Sequence, residues 1–60
     1  MSSINQPKFY TPEEIGDILR VSVGKVYQLI ESGELKATKV GRQFRISAEA
    51  LQEYINRQTQ

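Results

Sequence analysis

The run VGKVYQ, Val23 to Gln28, gathers side chains that can address a polyanion and the bases it carries. The Gln28 carboxamide presents a donor beside an acceptor, the complement of adenine N6 and N7, and such a bidentate pair is worth roughly 1 to 3 kcal/mol of base discrimination. The Lys25 ammonium and the Tyr27 hydroxyl are groups that contact phosphates. Gly24 brings no functional group and costs a helix roughly 1 kcal/mol relative to a better helix former, so its use there would be close approach of the backbone to something outside. A second basic run, KVGRQFR, carries Lys39, Arg42 and Arg45, whose charges suit phosphates or a neighbouring minor groove.

Other chemistries find little support. The chain has no cysteine and no histidine, so the common nucleophile-base pairs and the usual zinc ligand sets cannot be built. The carboxylates of Glu13, Glu14 and Asp17 cluster, but dipole compensation at a helix start accounts for them. The stretch GELKATKVGR lacks the glycine-lysine spacing of a phosphate-cradling loop. We expect neither an enzyme nor a bound metal or cofactor.

The overall formal charge of +1 conceals an asymmetry. Residues 11–19 carry −3 through those three carboxylates, whereas residues 20–45 carry +4, with Arg20, Lys25, Lys36, Lys39, Arg42 and Arg45 set against Glu31 and Glu34. At 60 residues the chain makes one domain at most, without disulfides or zinc to support it. No apolar run reaches the 18 or so residues of a membrane span, and the opening MSSINQPK has no apolar signal core, so a cytoplasmic protein with no membrane partner is expected.

The elements that must position the functional residues are well marked. In TPEE, Thr11 is an N-cap, Pro12 takes the first helical position and Glu14 completes a capping box. Ile15, Ile18 and Leu19 give that first helix, Pro12 to about Arg20, an apolar stripe, and Gly16 beside it predicts close approach of a second helix. RVS leaves room only for a tight turn, in which Val21 is expected to tuck inward and fix the interhelical angle. Ser22 caps a second helix, 22–32, that buries Val26, Leu29 and Ile30 and ends at Gly33. At about 100° per residue, Gly24 and Gln28 centre the face opposite that stripe, flanked by Lys25 and Tyr27.

Beyond Gly33 the pattern becomes extended, and a two-residue Gly41-Arg42 loop predicts a β-hairpin with positive φ at Gly41. Its register pairs Lys39 with Phe44 and Ala37 with Ile46 on a face toward the helices, leaving Thr38, Val40, Gln43 and Arg45 on the other. Ser47 caps a last helix with Ala50, Leu51, Tyr54 and Ile55 as its stripe. The expected fold is mainly α with a small β-hairpin, a winged helix-turn-helix: helix, turn, recognition helix, two-stranded wing over 36–46 and C-terminal helix. Residues 1–9 read as a flexible arm with an extended piece at KFY, 10–57 as the domain and 58–60 as a frayed tail.

From Tyr10 to Ile55, YTPEEIGDILRVSVGKVYQLIESGELKATKVGRQFRISAEALQEYI resembles the excisionase family of small winged helix-turn-helix, MerR-like DNA-binding domains. TPEEI, VS with VYQLIESGEL, and VGRQFRI carry the resemblance. It implies a bacterial, phage or mobile-element protein whose second helix enters the major groove of double-stranded DNA while the wing meets an adjacent groove. The positions matching the family's DNA contacts are Val23, Gly24, Lys25, Tyr27, Gln28, Arg42 and Arg45; relatives often carry arginine or another polar residue where Val23 and Gly24 stand here. Two roles follow, a recombination directionality factor working with an integrase or recombinase, or a small transcriptional regulator. Either would call for self-association on neighbouring DNA sites, because one helix and one wing make a small footprint. The alternative is a protein-interaction module of the same fold that docks an integrase or another partner. A DNA-reading domain of a longer protein is equally compatible with the residues.

Overall fold

The capping box at Thr11 forms as its residue types require. Thr11 Oγ1 accepts from the Glu14 N–H at 3.1 Å, and Glu14 Oε1 accepts from the Thr11 N–H at 2.9 Å. The computed structural model describes residues 8–58. Their order is β1 (Phe9–Tyr10), α1 (Pro12–Leu19), α2 (Val23–Ser32), β2 (Thr38–Val40), β3 (Gln43–Ser47) and α3 (Ala48–Gln58). No helix among them is long and apolar enough to cross a membrane. The ends of the expected arm and tail, 1–7 and 59–60, lie outside the described residues.

Between α1 and α2 the chain turns on backbone contacts. Arg20 closes α1 in the left-handed conformation (φ 62°, ψ 44°), a geometry that costs a non-glycine residue about 1 to 2 kcal/mol. The turn holds it there: the Val21 N–H donates to the Gly16 carbonyl at 2.9 Å, and Ser22 Oγ caps α2 by accepting from the Lys25 N–H at 3.2 Å. Gly16 is buried, and a Cβ built on it would stand 2.9 Å from the Val21 carbonyl oxygen and 3.6 Å from Val26 Cγ2. The close approach expected at Gly16 is therefore made by the turn first and by α2 behind it.

Two apolar assignments are corrected here. Val21 does not tuck inward; it is 37% exposed, because its backbone rather than its side chain is pressed against α1. Ile18 is 47% exposed. The buried side of α1 runs through Pro12, Ile15 and Gly16, which places Ile18 on the far flank of Ile15.

The hairpin takes the expected register, Thr38 opposite Arg45, Lys39 opposite Phe44 and Val40 opposite Gln43. Gly41 has φ +63° and Arg42 stays out of the left-handed region, the arrangement of a type II′ turn. The wing is larger than two strands: the extended KFY piece supplies β1, which pairs antiparallel with β3 (Phe9 with Ser47, Tyr10 with Ile46) to give the order β1-β3-β2. Every layer contributes to one core of Ile15, Val26, Leu29, Leu35, Ile46 and Leu51, with Tyr10, Leu19, Ile30, Ala37, Ala50, Tyr54 and Ile55 packed around it. Leu35 joins the core although it follows the glycine that ends α2, beyond the reach of helical periodicity. Its N–H donates to the Leu29 carbonyl at 3.1 Å, so the chain folds back after the left-handed Gly33 and drops the side chain under α2.

Helix propensity and packing make opposite predictions at Gly16. Propensity alone would have Gly16→Ala stabilise the domain by about 1 kcal/mol. The clash with the Val21 carbonyl makes it destabilising instead, by about 1 to 3 kcal/mol in urea unfolding, because the obstructing atom is backbone.

Candidate nucleic-acid interface

The buried stripe of α2, Val26 and Leu29, presses the helix onto the core and turns its other side outward. On that side stand Val23, 39% exposed, and Tyr27, 41% exposed, together with the exposed Gly24, Lys25 and Gln28. All five residues expected at the start of this helix are thus accessible. Gly24 has room for a side chain: among the described residues a Cβ there would meet only Ser22 Oγ, at an ordinary 3.9 Å.

The wing is fastened to the same helix by an aromatic contact. The Tyr27 and Phe44 rings lie with centroids 6.0 Å apart and planes at 60°, a tilted arrangement in which the edge of one ring meets the face of another. Lys39 Nζ stands 5.5 Å from the Phe44 centroid, within cation–π range. Tyr27 therefore holds the hairpin with its ring, in addition to the phosphate-facing role its hydroxyl suggests. Residue type and spacing do not mark Phe44 as part of this site; its cross-strand pairing with Lys39 and the position of Tyr27 on the flank of α2 are the sequence signals that point to it.

Arg42 is exposed at the wing tip and shares a cleft of about 130 Å³ with Thr11, Pro12, Glu13, Tyr27 and Phe44. Arg45 goes elsewhere. It sits on the opposite side of β3, paired with Thr38 and half-buried, along a groove lined by Ile30, Leu35 and Ala50. The structure thus gathers Tyr27, Lys39 and Arg42 around Phe44 and separates Arg45 from them.

A helix-turn-helix domain family model matches residues 9–59. YvgK, an uncharacterized protein of Bacillus subtilis, is 45% identical over 51 residues, 85% of this chain and 17% of its own length. A protein of Mycobacterium tuberculosis named "Putative DNA-binding protein" is 42% identical over 45 residues, 75% of this chain and 58% of its own, and the same match recurs in a second strain. The chain therefore spans less than two thirds of the length of each of these relatives. No solved structure matches it.

If the ring contact fastens the wing to α2, the Tyr27→Leu and Phe44→Leu substitutions are coupled. A double-mutant cycle in urea unfolding is expected to return about 0.5 to 1.5 kcal/mol. A coupling of zero would show that the hairpin is held without it.

Proposed function

This chain belongs to the helix-turn-helix domain family, an excisionase-like family, and from that membership we propose that it binds double-stranded DNA sequence-specifically. In this reading α2 enters the major groove and the wing reaches an adjacent groove or the backbone. The observation that carries it is the joining of an exposed face bearing Lys25, Tyr27 and Gln28 to a hairpin bearing Lys39 and Arg42 through the Tyr27–Phe44 contact. Helix and wing then present base-reading and phosphate-binding groups as one unit. The name of the Mycobacterium tuberculosis relative supports DNA as the ligand.

Within that class we favour a recombination directionality factor or a small transcriptional regulator acting in the cytoplasm. A recognition helix of ten residues and one short wing cover few base pairs, so tight binding calls for several copies on neighbouring sites or for a partner such as an integrase.

Fluorescence anisotropy with a labelled duplex across a salt series tests the reading. With six basic groups in play (Arg20, Lys25, Lys36, Lys39, Arg42 and Arg45), log affinity should fall against log salt with a slope of about −5 at most. Arg42→Ala should reduce that slope by about 1. Binding absent at low salt, or indifferent to salt, overturns the proposal. A chain that instead docks a protein partner would keep its function in the Arg42→Ala, Arg45→Ala double variant.

A further inference from the structure

Gly24 stands where nothing among the described residues asks for glycine. Its φ lies outside the left-handed region, so the backbone does not require it. No described neighbour requires it either, since among the described residues an added Cβ would find only ordinary contact with Ser22 Oγ. Gly16 shows the contrast, with a backbone oxygen 2.9 Å from the same construction. Alanine at position 24 would hold the first turn of α2 better. The space that the missing side chain leaves is therefore accessible to a ligand.

The surroundings define its chemistry. At about 100° per residue Gly24 lies between Tyr27 and Gln28 on the helix surface, with Val23 beyond Tyr27 on the same side. On the helix surface the exposed Val23 and Tyr27 thus offer apolar groups to one side of Gly24, and the exposed Gln28 offers its carboxamide to the other. A phosphate would gain nothing from the apolar side. The group on a base edge that is small, apolar and adjacent to adenine-type hydrogen-bonding positions is the C5-methyl of thymine.

Resting on the DNA-binding reading above, we propose that Gly24 is a specificity-determining residue: the notch it leaves seats a thymine C5-methyl against Val23, while Gln28 pairs with an adenine beside it. The consequence is a preference for A·T pairs under the first turns of α2. An arginine or other long side chain at position 24 would fill the notch and exchange methyl recognition for a polar contact.

The test begins with selection of duplexes from a random-sequence library by the full chain. The selected duplex is then remade with each thymine in turn replaced by deoxyuridine, which removes the methyl and leaves the hydrogen-bonding edge intact. One position is expected to weaken binding by about fourfold, the burial of one methyl group. Val23→Ala should abolish the difference between thymine and uracil at that position. Gly24→Ala should raise Tm yet weaken binding to the selected duplex about tenfold, with binding to unselected DNA unchanged, a combination that a purely structural role would not produce.

The proposal is overturned if no thymine position is sensitive to the methyl, or if Gly24→Ala binds the selected duplex as well as the unmodified chain. Either result leaves sequence-selective DNA binding intact. If the library yields no preferred sequence and no binding, the DNA-binding reading itself falls, and this inference with it.

Discussion

The absence of a side chain at Gly16 is the constraint on which the rest of the fold depends. The Val21 carbonyl occupies the space a Cβ would need, so the turn lies directly on α1 and α2 leaves it in one direction. Arg20 in the left-handed conformation and the Val21 N–H bond to Gly16 make that turn as tight as three residues allow. From there the orientation of α2 fixes which of its faces meets Ile15 and which faces outward. The position of the outward residues is thus decided one helix upstream, at a buried glycine.

The wing inherits the same frame through a different kind of contact. Phe44 lies on β3 two residues before Ile46, so both project from the same side of the strand. Ile46 is fully buried in the core, whereas Phe44 reaches the Tyr27 ring at its edge. A strand whose consecutive inward residues meet the core and then α2 has little freedom to swing. This arrangement makes a hairpin of three- and five-residue strands a dependable support for the charge at its tip.

Much of this was legible because local signals and global fold agree. The capping box at Thr11, the caps at Ser22 and Ser47, the apolar stripe of α2 and the Gly41-Arg42 turn each call for a single local geometry, and the structure adopts it. The misreadings arose where tertiary contact rather than pattern decides. Ile18 fits the spacing of a buried stripe, but the buried side of α1 runs through Pro12, Ile15 and Gly16, where the turn packs, and leaves Ile18 on its flank. Val21 is apolar in a tight turn, yet its backbone is what fixes the angle. Leu35 lies beyond a helix-ending glycine, where periodicity no longer speaks; only the habit of such glycines to return the chain under the helix marks it as core. Within the candidate interface, residue types and spacing indicated which side chains stand outward on α2, while the division of Arg42 from Arg45 needed the register and packing of β3.

The placement of β3 between β1 and β2 has a consequence for a chain of this size in solution. Small sheets are open to strand exchange with neighbouring molecules wherever an unpaired edge runs long enough to template another strand. Here the longest strand, with five residues, is the central one and divides its pairing, Gln43, Phe44 and Arg45 with β2 and Ile46 and Ser47 with β1. The outer positions go to β1 and β2, with two and three residues. An edge so short offers an incoming strand few hydrogen bonds, too few to offset the entropy of ordering it. Among the described residues every open strand edge is three residues long or shorter, so even beside the exposed Val40 the sheet offers a neighbouring copy little to pair with.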